Sequence, residues 1–189
     1  MTTTGLDLQG TFRAVIEALD EVDVAHAFIG GLPVVAWGRG RATTDIDLIV
    51  TVSNAWPRLT AALRRRGIVQ RRQIGPAEPT DALPDAAVFF TTTSTPVRVD
   101  VFIGKADFER AVLETARQAE VLGATVRVAA PEASIIYQLL ARRPRDVESI
   151  FIARAAAASP LDWQFLDAWA KTWAVTDRLA PFRQRFHPE

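Results

Sequence analysis

The chain has 189 residues, 49% of them hydrophobic and 23% charged, with equal numbers of acidic and basic side chains and no cysteine. These values predict one globular domain, or one with a small appendage, and exclude a disordered chain, a disulfide framework, a zinc–thiolate site and thiol catalysis. There is no basic-then-apolar leader and no apolar run near the ~20 residues of a membrane span, so the expectation is a soluble, cytoplasmic protein with no membrane contact and no net field toward nucleic acid.

Leu8, Phe12, Val15, Ile16 and Leu19 recur at helical spacing and predict a first helix. Residues 25–29 form a short apolar run that predicts a buried strand. Gly30-Gly31 then turns the chain, and Pro33 suits the first turn of a short helix reaching about Trp37. Gly38 and Gly40 break it. Residues 46–52 predict a strand. Ser53 or Asn54 would cap a helix over residues 57–66, which Gly67 ends. Gly and three Pro make residues 75–85 a loop. Residues 87–92 and 97–103 predict two strands of an antiparallel hairpin. A helix follows over 106–118, then a short strand or hairpin around Gly123 over 121–128. Residues 132–142, 144–158 and 161–173 predict three more helices. The fold class expected is α/β (α+β): a mixed sheet with flanking helices over residues 1–130, and a C-terminal helical part over 131–189 packed on it.

Two carboxylates interrupt the apolar strand "DIDLIV". Strand side chains alternate, so Asp45 and Asp47 share one face while Ile46 and Leu48 point into the core. Their Cα atoms should lie about 6.6 Å apart. Two acids so close do not both ionise easily without a cation between them. Oxygen ligands alone suit a hard ion, Mg²⁺ or Mn²⁺. In "VRVDVFIG", Val97, Val99, Val101 and Ile103 form one face and Asp100 lies on the other. If this strand pairs beside the first, Asp100 joins Asp45 and Asp47. Gly30 and Gly31 stand between a strand and a helix N-terminus, where free N–H groups favour phosphate. Without a Cβ, Gly31 admits close approach of a ligand to the backbone.

Gly-Gly, thirteen intervening residues, Asp-Ile-Asp-Leu and a third acid on a later strand together resemble the DNA polymerase β-like nucleotidyltransferase superfamily. "GRATTDIDL" is further similar to small prokaryotic nucleotidyltransferases of the AbiEii-toxin type, through Arg41, Thr43, Asp45 and Asp47. "PEASIIYQLLARRPRDVESI" resembles their helical motif at Pro131, Glu132, Ala141, Arg143 and Asp146. The resemblance spans about residues 28–150. It implies a nucleotidyltransferase fold and transfer of a nucleoside monophosphate from a nucleoside triphosphate to an acceptor hydroxyl. Asp45, Asp47 and Asp100 would be the catalytic acids and the ligands of Mg²⁺ or Mn²⁺. Gly30, Gly31, Arg41, Thr43, Gln138, Arg142 and Arg143 would bind the nucleotide, and Asp146 would position the acceptor. The implied partners are a tRNA or protein acceptor and a cognate antitoxin.

Two positions depart from the pattern. Gln138 stands where the family has a lysine that meets the triphosphate, and Ser149 stands where it has an acid. Gln can hydrogen-bond a phosphate but brings no charge, so Arg142 or Arg143 would have to supply it. These departures keep two alternatives open: a catalytically weak module of the same fold that binds a nucleotide or partner protein, and a transferase acting on a small molecule such as an antibiotic. Arg64-Arg65-Arg66 and Arg71-Arg72 read as a solvated helix end rather than an RNA contact. Leu166, Trp169, Ala170 and Trp173 recur at helical spacing, as core or as a homodimer or partner surface. His26 and His187 are isolated and read as structural or surface residues.

Overall fold

The computed structural model describes residues 7–39, 42–51, 55–74, 85–104 and 106–187. Its elements run α1 (Leu8–Val22), β1 (His26–Ile29), α2 (Leu32–Trp37), β2 (Asp45–Thr51), α3 (Trp56–Arg65), β3 (Ile68–Ile74), β4 (Asp85–Thr91), β5 (Arg98–Gly104) and α4 (Asp107–Thr115). The hairpin β6 (Arg117–Val121) and β7 (Ala124–Val128) follows, then α5 (Pro131–Leu140), α6 (Pro144–Ala156), α7 (Trp163–Thr172) and α8 (Thr176–Phe186). The strands form one seven-stranded sheet in the order β3-β4-β5-β2-β1-β7-β6. The β2–β5 and β1–β7 pairs are parallel and the others antiparallel. The expected α/β class with a mixed sheet is the class observed.

Local chemistry explains the elements. Asp7 caps α1 by accepting a hydrogen bond from the Gly10 N–H at 2.7 Å, and the left-handed Asp23 (φ 54°) ends it. Between them Phe12, Val15, Leu19 and Val22 bury one stripe. Prolines open α5 and α6 at the position where a missing N–H costs nothing. Along β2 the side chains alternate as anticipated. Ile46, Leu48 and Val50 join α1, α3, Phe89, Val99 and Val101 in one apolar layer. Ile49 faces the other way, into a second layer with Phe108 and the apolar sides of α5, α6, α7 and α8. Each fully buried Leu or Phe in these layers contributes about 1.5–3 kcal/mol.

Three elements depart from the expectations. Strand β3 was not anticipated: its "IVQRRQI" is a polar edge strand whose register shifts between Gln70 and Arg72. The helix expected over 106–118 stops at Thr115, because Ala116 is extended (ψ 136°). Arg117 and Gln118 instead open β6, and Leu122-Gly123 turns the hairpin with both φ angles positive, 49° and 78°. Helix α8 was not anticipated: it carries Pro181 inside it, although Leu179, Phe182 and Phe186 recur at helical spacing and pack on the second layer. The expected loop lies outside the described residues except for Asp85, which opens β4, and so do the expected cap residues Ser53 and Asn54; the observed N-cap of α3 is Ala55. No helix among the described residues is long and apolar enough to cross a membrane.

Arg65 and Arg66 bond Glu21, and Arg66 also Glu17, tying the end of α3 to α1. Leu166 and Ala170 are core, while Trp169 and Trp173 pack on Phe108. Glu132 is 3% exposed; it accepts from the Asp162 N–H at 3.1 Å and from Arg117 at 3.4 Å, joining α5, β6 and the start of α7. Glu132→Ala removes both contacts and leaves the Asp162 N–H unpaired. The expected loss is on the order of 2–3 kcal/mol, read as a lower urea midpoint; an unchanged midpoint removes this clamp from the account.

Candidate active site

Strand register assembles the site. In the antiparallel β1–β2 pair, Ile29 lies opposite Asp47. In the parallel β2–β5 pair, Asp47 lies beside Asp100 and Asp45 beside Arg98. In-register neighbours share a face, so Asp45, Asp47, Arg98 and Asp100 form one polar patch across two central strands. It sits at the end of the face on which Ile49 is buried under the helices.

Gly30 completes the row. It follows Ile29 directly and turns with φ +66°. A Cβ there would lie 2.8 Å from Cγ and 2.9 Å from Cβ of Asp47. Only glycine satisfies both the backbone angle and the approach. Gly31 has an ordinary φ of −79° and leads into α2. The turn is pinned from the other side by Gln138, whose Nε2 donates to the Gly30 carbonyl at 2.8 Å. Gln138 is 2% exposed, and its Oε1 is buried without a partner among the described residues. Its amide therefore holds the glycine turn.

Ser149, the other departure, also has a structural use. Its hydroxyl accepts from the Arg39 N–H at 2.5 Å and donates to the Arg39 carbonyl at 3.1 Å. It thereby ties the chain after α2 to α6. Thr43 is buried, and its hydroxyl donates to the Asp45 carbonyl (3.0 Å) and to Asp45 Oδ1 (3.1 Å), which fixes that carboxylate.

A cleft of about 230 Å³ opens beside Asp47, lined by Gly30, Phe102, Tyr137, Gln138 and Arg143 among others. A larger groove of about 640 Å³ lies between α3 and β3, but Arg64, Arg71 and Thr60 line it and, among the described residues, no carboxylate does. Chemistry, not size, marks the cleft at Asp47. Burial first, then the charges of Asp45 and Asp100, push the Asp47 carboxyl up from 3.8 to about 7, against the opposing fields of Arg98 and Arg143. Burial pushes the Tyr137 phenol well above its usual range, so it stays neutral.

The donor chemistry fits a hard divalent cation: oxygen ligands only, with an excess of negative charge around a half-buried acid. Among the described residues, however, no three acids converge as a ready-made metal cage. Asp100 is turned onto Arg98, with Arg98 Nε to Oδ1 at 2.8 Å and Nη2 to Oδ2 at 2.7 Å. Arg98, Phe102 and Tyr137 were missed in the sequence. Two-residue alternation back from Asp100 places Arg98 on the same face and is the signal that could have found it.

No protein-family model and no curated protein matches the chain. Solved structures do. The crystal structure of ANT(2'')-Ia in complex with adenylyl-2''-tobramycin superposes with TM-score 0.57 at 17% identity, covering 90% of this chain and 97% of that one. An antigenic nucleotidyltransferase-like protein from Paracoccidioides brasiliensis gives TM-score 0.55 at 18% identity, covering 90% of each chain. The chain has a nucleotidyltransferase fold.

Within this nucleotidyltransferase fold the remaining sequence candidates fall in different places. Arg143 lines the cleft and its field reaches Asp47. Arg142 forms the left-handed turn between α5 and α6 (φ 56°) and is exposed. Asp146 occupies the first turn of α6, its N–H donating to the Arg143 carbonyl at 3.1 Å. Arg41 lies outside the described residues.

Two outcomes follow from this geometry. Gly30→Ala forces a left-handed alanine against Asp47 and should cost roughly 2 kcal/mol or more of stability by urea denaturation; an unchanged midpoint shows that the turn tolerates a side chain. An acid with a raised value in the folded state keeps a proton that the unfolded chain has lost. Asp47 therefore makes stability fall as pH rises from about 4 to about 7, with the loss complete above that. Asp47→Asn should be more stable than wild type at pH 8 in EDTA, by on the order of 2–4 kcal/mol, and no different at pH 3. Parallel pH profiles for the two proteins would remove the strain assigned to Asp47.

Proposed function

We propose that the protein is a metal-dependent nucleotidyltransferase that moves a nucleoside monophosphate from a nucleoside triphosphate to an acceptor hydroxyl. The observation that carries this reading is the register that sets Asp47 between the Gly30 turn and Asp100. Asp45, Asp47 and Asp100 would hold Mg²⁺ or Mn²⁺, which when bound neutralises phosphate charge and makes the acceptor hydroxyl more acidic. The acceptor oxygen attacks the α-phosphorus, the bond from that phosphorus to the bridging oxygen breaks, and pyrophosphate leaves with the electron pair. In this reading the hydroxyl proton passes to Asp100. Because Gln138 is engaged by Gly30, positive charge for the phosphates falls to Arg143, with Arg142 and Arg41 as further candidates. Gly30 and Gly31 seat the phosphates, and Thr43 serves the site by fixing Asp45.

The acceptor we favour is tRNA or protein, in the manner of a toxin with a cognate antitoxin, on the strength of the "GRATTDIDL" resemblance. A small-molecule acceptor is the second reading, favoured by the similarity in fold to ANT(2'')-Ia over nearly the whole of both chains. A nucleotide-binding module without chemistry is the third, favoured by the structural use of Gln138 and Ser149.

The test is transfer of label from α-labelled triphosphates in Mg²⁺, with tRNA, with the protein alone, and with an aminoglycoside. Label should move to one acceptor, and Asp45→Ala or Asp47→Ala should lower the rate on the order of a thousandfold or more with an unchanged circular dichroism spectrum. Full turnover by either variant would take the carboxylate row out of the mechanism. Nucleotide binding with no label transfer to any acceptor favours the module.

A further inference from the structure

The carboxylate row has a cation of its own. Both oxygens of Asp100 are taken by the Arg98 fork, at 2.8 and 2.7 Å. Asp100 is 7% exposed, so few other partners can reach it. The Arg98 side chain is 49% exposed, so its head can leave for solvent without opening the core. The strand register sets Arg98 beside Asp45. The hydrogen bond to Asp100 first, then the charges of Asp100, Asp47 and Asp45, favour the charged form of Arg98. A planar guanidinium meeting a carboxylate through two bonds is among the stronger pairings available to that acid. Among the described residues, no ion pair engages Asp45 or Asp47, and no three acids converge.

We propose that Arg98 is a positioning residue that stands in for the metal: it holds Asp100 in the metal-free protein, and a divalent cation gains its third carboxylate by displacing it. The inference rests on the metal-binding reading of Asp45, Asp47 and Asp100. It adds that metal affinity is set by competition within the chain. The ion pair keeps three crowded acids compatible with folding, and the site pays for that compatibility with weaker metal binding. A guanidinium released from Asp100 stays on the same sheet face, beside Asp45, where an anionic group would meet it.

The test is direct Mn²⁺ binding to the full chain, followed by electron paramagnetic resonance and calorimetry at pH 8 without nucleotide. Arg98→Gln keeps the stem and a donor but removes the charge. It should bind Mn²⁺ roughly tenfold more tightly than wild type, while melting lower in EDTA and gaining more on adding Mn²⁺. Arg98→Lys, a point charge without a fork, should fall between the two. A purely structural ion pair would lower the melting temperature and leave the Mn²⁺ affinity unchanged. Equal or weaker Mn²⁺ binding by Arg98→Gln overturns the proposal and leaves the metal reading standing. No binding by wild type or by either variant, each folded by circular dichroism, overturns both.

Discussion

The pairing of β2 with β1 on one side and β5 on the other is the constraint on which the site depends. Asp47 meets Ile29 across one seam and Asp100 across the other. A slip of one residue in either seam would turn the acids into the layer formed by Phe12, Leu19 and Phe89. The fully buried Ile46, Leu48, Val99 and Val101 prevent that slip, because each would have to be exposed. The hydrophobic layer therefore fixes the carboxylate geometry without touching it.

Placing three acids side by side on rigid strands is unfavourable, and the surroundings manage it. Arg98 pairs with Asp100, Thr43 holds Asp45, and Asp47 relieves its own burial by keeping a proton up to near neutral pH. The same economy governs the glycine turn. Gly30 leaves room for Asp47, and Gln138 holds the Gly30 carbonyl from α5. A lysine at position 138 would have to bury an ammonium where the chain now has a neutral amide. Gln138 and Ser149 are thus used as ties: Gln138 to the turn, and Ser149 to the backbone of Arg39.

Fold and acceptor are separate questions. Similarity at 17–18% identity extends over nine-tenths of the chain and establishes the architecture. The acceptor is chosen by what surrounds the acids, and one architecture carries many such surroundings. Here the cleft offers Phe102 and a neutral Tyr137 beside Arg143 and Asp47, an apolar wall next to a charged one.

Local pattern was enough for much of this protein. Two-residue alternation placed Asp45, Asp47 and Asp100 on the polar faces of their strands, and 3.6-residue spacing marked α1 and α7, because both periodicities follow from backbone geometry alone. The Gly-Gly to Asp-Ile-Asp spacing pointed to the fold through its resemblance to the nucleotidyltransferase superfamily. Tertiary structure decided what local pattern does not encode. The edge strand β3 has little apolar periodicity and exists because β4 receives it, while α8, with Pro181 inside it, is held by docking Leu179, Phe182 and Phe186 on the second layer. The neighbour of β2 and the tether from Gln138 to Gly30 join residues distant in the chain. The hold of Asp47 on its proton comes from burial and from acids on two paired strands, and no single segment carries it.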